Sequence, residues 1–337
     1  MSENNESIMG GNVCARHPLS RLTDIFGSGT ARYIFKRAGL ALLTVFTVIT
    51  LTFFAMHAVP GGPFLSEKAV SDEVMAELME KYGLDKPLFI QYLTYLSDIV
   101  FRFDFGPSLK QRGRQVAEII GTGLTVSAKL GLIAAALALV FGILLGTLAS
   151  VKRGKATDRI IMVITSLFVS MPSFITGTLL LYIFSTLLGI FPANASAETG
   201  FAGLVLPIIT LSLYPTAYIT RLTRSSMLDI LGQDYIRTAR AKGLSQARVI
   251  FVHALRGALT PIITYLAPML AYIVTGSLVI EQIFAVPGIG RAFVGSITGR
   301  DYPLIMGTTI VLSVLVVTMN LIGDLLYKAA DPRINLE

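Results

Sequence analysis

Long apolar runs alternate with polar connections along most of this chain. A helix that crosses a bilayer needs about 20 predominantly apolar residues, and six runs meet or approach that length. The fourth run is the weakest, because Pro207 and Pro215 interrupt it. The predicted spans cover residues 38–59, 124–149, 160–186, 204–219, 259–280 and 303–327. The pattern therefore predicts an all-α polytopic membrane protein with six transmembrane helices.

The connection 60–123 is long enough to carry structure of its own. Ser71 is a good N-cap for an amphipathic helix, with Lys81 near its end and Gly83 as the stop. A second amphipathic piece begins at Pro87 and repeats apolar residues at helical spacing as far as Phe103. Together they predict a small cap on the outer face, between a first helix 38–59 and a core of five spans at 124–327.

Basic residues in the connections predict the orientation of the spans. Lys and Arg number five up to residue 37, four in 150–159, seven in 220–258 and two from 328 onward. The opposite side has none in 187–203 and two in 281–302. Because short cytoplasmic connections carry the excess of positive charge, both the tail 1–37 and the tail 328–337 are predicted to be cytoplasmic. The first span is expected to remain as an anchor, since a long polar stretch precedes it.

Composition excludes several other classes of protein. Apolar residues make up 53% of the 337 residues and charged residues only 15%, against about a quarter charged in a soluble domain. The net charge of +7 comes from basic residues in connections rather than on one soluble face, so nucleic acid is not an expected partner. Cys14 is the single cysteine and cannot form an internal disulfide, so a free thiol in a polar tail is expected.

The residues that carry most enzyme chemistry are missing or scattered. Gly154-Lys155-Ala156 lacks the flanking residues of a phosphate-binding P-loop. His17, His57 and His253 lie far apart, and no metal-ligand spacing or nucleophile elbow occurs. We therefore expect no catalytic residues, no bound metal and no enzymatic activity in this chain.

Ionisable residues within the spans are few. His57 and Asp324 lie near span ends and Lys129 can extend toward the interface, so structural roles are favoured for all three. No acidic residue is predicted at the middle of a span, which counts against an ion-coupled carrier. Gly142 and Gly146 form a Gly-xxx-Gly pair for close helix packing, with a partner either in this chain or in a second subunit. Prolines in or near the spans either shape a cavity or simply fit the packing.

The connection between the fourth and fifth spans has the most distinctive pattern. Asp234 is suited to cap a short helix, Lys242 lies at its C-terminal end, and Gly243 supplies a left-handed stop. Ser245 can then cap a second helix. Two short helices at an angle form a projecting knob that fits a groove on a cytoplasmic partner; the plain alternative is a solvated basic loop.

Arg237-Thr238-Ala239 with Gly243 four residues later resembles the EAA loop of permease subunits in binding-protein-dependent ABC importers. Arg237 replaces the acidic residue at the first position of this motif. The general motif ends in Ile-x-Leu-Pro, where this chain has His253-Ala-Leu-Arg256. Both departures are usual in the peptide and nickel branch of the family. Further matches occur in order at 104–108, 126–131, 253–261, 275–281, 287–290, 300–302 and 331–332. Together they resemble B-type permease subunits of oligopeptide importers over nearly all of residues 37–334.

This resemblance implies a type I ABC importer permease fold and a set of partners. It implies a homologous C-type permease, two cytoplasmic ATP-binding subunits of D and F type, an extracytoplasmic A-type peptide-binding protein, a peptide substrate and membrane lipid. Mg-ATP would bind in the ATPases, and this chain would need no cofactor. The chain would lie in the plasma (inner) membrane of a prokaryote, with a coupling loop within 224–257. The implied ATPase contact is Arg237, Thr238, Ala239, Arg240, Ala241, Lys242, Gly243 and Leu244.

Two further expectations concern the outer face and the substrate. Pro287, Gly288 and Gly290 predict a turn that either closes an outer gate and meets the binding protein, or only joins the last two spans. A dipeptide or nickel importer is the alternative within the same family. Outside it, a self-sufficient secondary carrier or channel and a membrane scaffold or sensor remain as alternatives.

Overall fold

The computed structural model describes residues 28–64, 76–77, 79–80, 82–111, 113–196, 198–274 and 278–330. Cys14, most of the amphipathic helix predicted from Ser71, and the C-terminal residues 331–337 lie outside the described residues. Within them the secondary structure is helical apart from one isolated bridge between Pro107 and Gln115. The all-α fold predicted from the apolar runs is confirmed.

The helices are described in the order in which they follow one another along the chain. The outer part contains α1, Ser28–Ala58, and α2, Leu88–Ser97, which continues as a π-helix over Asp98–Arg102. The core helices are α3, Val116–Val151; α4, Ala156–Ser170; α5, Ser173–Leu180, with a π-helical extension Leu181–Leu187; and α6, Ala202–Leu231. The next helices are α7, Asp234–Ala241, and α8, Leu255–Val274, which the helical turn Gln246–Arg248 and the π-helix Val249–Ala254 precede. The last helices are α9, Leu278–Ile283; α10, Ile289–Gly299; and α11, Tyr302–Ala330.

Five of the described helical segments are long and apolar enough to cross a membrane, and a sixth crossing is formed if the bent pair α4 and α5 counts as one span. The pair bends by 107°. The span expected over 160–186 therefore consists of two helices that meet at a sharp bend. Pro172 lies at the bend as the N-cap of α5, with φ −54° and ψ 139°, because proline disfavours helical geometry in the residue before it and ends α4 near Ser170.

Two other predicted spans have different ends in the structure. The fourth, expected only over 204–219 because of its prolines, is one continuous helix of 30 residues that contains Pro207 and Pro215. Membrane helices tolerate proline where neighbouring groups satisfy the freed carbonyls, and both prolines are buried. The fifth was expected over 259–280; the structure describes α8 over Leu255–Val274 and α9 over Leu278–Ile283.

Close packing of α3 on α6 forms the centre of the fold, and this is the most extensive helix contact among the described residues. A Cβ atom placed on Gly142 would lie 2.7 Å from Ile219 Cβ and 3.2 Å from the carbonyl oxygen of Thr216. One placed on Gly146 would lie 2.6 Å from the carbonyl oxygen of Thr220. The Gly-xxx-Gly pair therefore faces α6 of the same chain, where missing side chains let the two backbones approach.

The first helix lies at the edge of this core and packs along α11. At the N-terminal end of α1, Arg37 Nη2 is 3.0 Å from Asp324 Oδ2, and the Tyr33 hydroxyl donates to the same oxygen at 3.1 Å. At the other end, His57 Nδ1 lies 2.8 Å from the carbonyl oxygen of Phe53. Asp324 thus joins the two helices, whereas Lys129 on α3 is exposed.

The amphipathic helix predicted from Pro87 is present as α2. Its Tyr92 is buried against Ile49 and Phe53 of α1, and the Tyr92 and Thr50 hydroxyl oxygens lie 2.7 Å apart. Leu88 and Phe103, at the ends of the predicted apolar face, are exposed. Only the middle of that face therefore packs against the chain itself.

Buried Asp301 fastens the end of the outer connection to α11. Its carboxylate accepts hydrogen bonds from the Ser108 hydroxyl and, at 3.1 Å, from the backbone N–H of Leu109. It also accepts a 3.4 Å hydrogen bond from the N–H of Leu304 in the first turn of α11. A carboxylate at this position satisfies N–H groups that the start of a helix leaves without partners.

We predict that Gly146→Ala destabilises the protein by about 1–3 kcal/mol, since the added methyl group overpacks the contact of α3 with α6. Gly121→Ala on the same helix is the control, because a Cβ there meets nothing within 4 Å. That control is expected to be neutral or stabilising, as alanine is the better helix former. Thermal unfolding of the detergent-purified variants measures both, and equal stability of the two variants would contradict the prediction.

Candidate functional site

The connection between α6 and α8 contains the predicted knob of two short helices. Helix α7 ends at Ala241 with Lys242 as its C-cap, and Gly243 follows with φ +74°. Backbone N–H groups close this turn: Gly243 donates to the carbonyl of Arg240 at 2.9 Å, and Leu244 donates to that of Ala239 at 3.4 Å. The left-handed glycine thus satisfies carbonyl groups that the end of α7 leaves free.

The start of α7 differs from the expectation. Gln233 occupies the N-cap position with φ −73° and ψ 152°, and no side chain caps the helix. Asp234, expected as the cap, is instead the first helical residue, where its charge favours the positive end of the helix dipole. Its ion pair with Arg237, at 3.6 Å, is almost fully exposed and contributes little stability. After the turn, Ser245 occupies the N-cap position of the helical turn Gln246–Arg248.

One face of the knob is buried and the other is free. Ile236 and Ala239 pack against Val249, Ile250 and neighbouring apolar side chains of the chain itself. Of the eight residues predicted to contact an ATPase, Ala239 is therefore buried and Leu244 is partly buried. The other six are exposed and form a basic surface: Arg237, Thr238, Arg240, Ala241, Lys242 and Gly243.

The buried face connects the knob to the ends of two long helices. Met227, near the end of α6, is fully buried in the same cluster. Ala254, in the π-helix Val249–Ala254, and Ala258 at the start of α8 also belong to it. Because close-packed interiors transmit displacement rather than absorb it, a force on the exposed face of α7 reaches α6 and α8 directly.

A buried ion pair braces the same end of the core. Arg224 on α6 donates to Asp158 on α4 through two hydrogen bonds, Nε to Oδ1 at 2.6 Å and Nη2 to Oδ2 at 2.8 Å. The N–H of Gly154 donates to Asp158 Oδ2 at 2.9 Å. Asp158 is only 3% exposed, so removing Arg224 would leave an uncompensated buried charge. Sequence reasoning missed this pair, since nothing in the spacing of residues 158 and 224 links them.

At the opposite end of the core, Glu281 on α9 is fully buried. Its Oε1 accepts a 2.7 Å hydrogen bond from the Ser127 hydroxyl of α3, and its Oε2 accepts one from the N–H of Arg291 at 3.1 Å. The Ser127 hydroxyl oxygen in turn accepts a 2.9 Å hydrogen bond from the N–H of Ile289. Burial raises the pKa of Glu281, while these hydrogen bonds from Ser127 and the backbone lower it.

This carboxylate explains the predicted turn at Pro287, Gly288 and Gly290. A Cβ on Gly288 would collide with the Glu281 carboxylate and the Ser127 hydroxyl, and one on Gly290 would lie 3.0 Å from Glu281 Oε2. The glycines thus allow the start of α10 to approach the buried anion, which the N-terminal end of a helix favours. Pro287 itself is exposed. The segment is a helix, turn and helix fixed to α3.

Glu281 was not singled out from the sequence because it directly follows an apolar run and has no charged neighbour. Its position within the 275–281 match was the available signal. Among the described residues, no group of three or more His, Cys, Asp or Glu side chains is placed to hold a metal ion.

Two stretches of the chain match known families. Residues 138–336 match the family described as binding-protein-dependent transport system inner membrane component. Residues 30–123 match the N-terminal part of a binding-protein-dependent transport system membrane component. The chain belongs to this family. It is a permease component of a binding-protein-dependent importer of the ABC type.

Curated relatives match over almost their whole lengths. The dipeptide transport system permease protein DppB of Bacillus subtilis is 46% identical over 306 residues, which cover 91% of this chain and 98% of that protein. The oligopeptide transport system permease protein OppB of Haemophilus influenzae is 44% identical over 303 residues, covering 90% and 99%.

A solved structure supports the fold. The MetNI methionine ABC transporter, in inward-facing conformations, contains a chain that matches with a TM-score of 0.50 and 19% identity. The match covers 64% of this chain and 97% of that chain. The type I importer permease fold implied by the sequence motifs is confirmed at the level of fold.

We predict that Gly288→Ala loosens the outer segment, because the new methyl group displaces the turn from Glu281 and costs about 1–3 kcal/mol. Limited proteolysis of the 278–301 segment and thermal unfolding measure the effect. Gly295→Ala is the matched control on α10, since a Cβ there meets nothing within 4 Å. Faster cleavage in the control than in Gly288→Ala would show that the buried carboxylate does not position the turn.

Proposed function

We propose that this chain is one of two homologous permease subunits in an ATP-driven importer of oligopeptides. It would form half of the translocation path, pair with a C-type permease, and receive peptide from an extracytoplasmic binding protein. Two separate ATP-binding subunits of D and F type would bind and hydrolyse Mg-ATP, so this chain would act as a transport subunit without enzymatic activity. Import of dipeptides is the second candidate, because the 46% identical Bacillus relative is named a dipeptide permease.

The observation that carries this proposal is the exposed knob at Arg237–Leu244 and its buried attachment to α6 and α8. Its exposed surface is basic, projects from the ends of two long helices, and takes no part in the packing of the residues that the structure describes. In a permease of this family, such a surface would bind in a groove on a cytoplasmic ATPase. Closure of two ATPases on ATP would then move α6 and α8 as rigid elements.

The distribution of positive charge supports the orientation of the subunit. The knob, the connection between α3 and α4, and the first residues of α1 lie on the side rich in Lys and Arg, which is the cytoplasmic side for short connections. Helix α2 and the segment from α9 to α10 would then face outward, where the binding protein docks. Both termini would be cytoplasmic in the inner membrane of a prokaryote.

The first test is affinity purification of the tagged chain from its native membranes in mild detergent. We expect a homologous permease and two ATPases to co-purify, and the preparation to hydrolyse ATP and take up labelled oligopeptides after reconstitution. Labelled dipeptides, supplied in parallel, separate the two substrate candidates. Recovery of this chain alone, without ATPase activity, would sink the proposal and favour an independent carrier.

A second prediction concerns Gly243. There is room for a side chain at this position, because a Cβ there meets nothing within 4 Å, so its positive φ is what favours glycine. Gly243→Pro fixes φ near −65° and is expected to leave the protein inserted but to abolish uptake and ATPase binding. Gly243→Asn is the control, because asparagine visits left-handed geometry at little cost. It should retain most of the uptake; normal uptake by the proline variant would refute the coupling role.

A further inference from the structure

The bend between α4 and α5 opens a cavity of about 560 Å³ against α6 and α8. This volume lies within the range of small-ligand sites, roughly 300–1,000 Å³. Of the described residues that line the cavity, none carries a charge. Those that shape its chemistry are Ser170, Pro172, Tyr214, Pro215, Tyr265 and Tyr272.

Three tyrosine side chains line this cavity, together with the smaller hydroxyl side chains of Ser170, Ser173 and Thr210. Tyr214 lies on α6, and Tyr265 and Tyr272 lie on α8. Tyr218, one turn beyond Tyr214, extends the set, because its ring centroid is 4.3 Å from that of Tyr265 and 6.4 Å from that of Tyr214. The rings of Tyr214, Tyr218 and Tyr265 thus form a continuous surface between α6 and α8, and Tyr272 lines the same cavity.

The depth of these tyrosines shows that lipid is an unsuitable neighbour. Tyr214 lies 12 residues after the start of the 30-residue helix α6, or about 18 Å along an axis of about 45 Å at 1.5 Å per residue. Tyrosine favours the membrane surfaces, where its hydroxyl group reaches water. Yet Tyr214, within the predicted span 204–219, is 42% exposed. Tyr218, at the end of that span, is 38% exposed. The hydroxyl group of Tyr214 therefore requires water, a ligand or another protein surface.

We propose that this cavity and the Tyr214–Tyr218–Tyr265–Tyr272 surface are where the translocated peptide contacts this chain. The inference rests on the proposed peptide-import function and assigns its path to particular residues. Tyrosine hydroxyls both donate and accept hydrogen bonds, so they can pair with the N–H and C=O groups common to all peptides. Aromatic rings accept apolar side chains of different shapes. The absence of charge among the described lining residues avoids selecting peptides by charge or holding them in an ion pair.

Photocrosslinking in the reconstituted importer tests this placement. Tyr214 is replaced by the photoreactive analogue p-benzoylphenylalanine in one variant, and Tyr272 in a second, so that failure of one variant to assemble does not end the test. Phe46 on the peripheral helix α1, 51% exposed, is replaced in the control. Each complex is supplied with binding protein, ATP and a radiolabelled oligopeptide of mixed sequence, and is illuminated during uptake.

We expect labelled peptide to attach to this chain in the Tyr214 and Tyr272 variants and not in the Phe46 control. If the probes at positions 214 and 272 cross-link only to the second permease subunit or only to lipid, in complexes that still import peptide, the proposal is overturned. If the unmodified complex assembles with ATPases but imports no peptide, the proposed function itself fails, and the assignment of the cavity falls with it.

Removal of the hydroxyl groups gives a second readout. Tyr214→Phe combined with Tyr265→Phe keeps both rings and should lower the rate of peptide uptake by about two- to tenfold, the effect of losing one or two hydrogen bonds. ATPase assembly should be unchanged, because neither residue lies in the knob. Unchanged uptake in the double variant would show that the hydroxyl groups do not contact the moving peptide.

Discussion

Close approach of α3 and α6 is the contact on which the rest of this fold depends. Within a bilayer no hydrophobic effect drives helices together, so their association depends on van der Waals packing at small residues. Gly142 and Gly146 give α3 a smooth strip against α6. The N-terminal half of α3 carries Ser127, which holds the outer segment through Glu281, and the end of α6 carries Met227, which holds the knob. The outer segment and the knob are therefore both attached to the same closely packed pair of helices, α3 and α6.

The two ends are built in physically different ways. At the knob, apolar side chains bury one face of α7, while a two-bond ion pair between Asp158 and Arg224 fixes α4 to α6 nearby. At the outer end, the carboxylate of Glu281 is held by a hydroxyl and backbone N–H groups. Both ends are held by close packing or by hydrogen bonds. We therefore expect motion at one end to reach the other as rotation of whole helices rather than as local rearrangement.

The sequence predicted the features that depend on local pattern. Apolar length identified the spans, and Gly243 identified the left-handed end of α7, because positive φ favours glycine strongly. Features that depend on contacts distant in sequence could not be predicted. Asp158 contacts Arg224 only because α4 packs beside α6. In the sequence, Glu281 is simply the first polar residue after an apolar run, and only the fold places Ser127 beside it. The bend at Pro172 is an intermediate case. Proline predicts that a helix breaks there, but it predicts neither the angle of 107° nor the cavity beside the bend.

The buried carboxylates bear on how transport is driven. Among the described residues these are Asp158, Glu281 and Asp301. Each accepts a hydrogen bond from a backbone N–H group, and each lies in or next to the terminal turn of a helix or in a short outer helix. A proton- or sodium-coupled carrier uses acidic side chains near the membrane midplane that can change partners, whereas these three have fixed structural partners. The middle of α6 presents tyrosines instead. This arrangement favours the proposed ATP-driven import over coupling to an ion gradient within this chain.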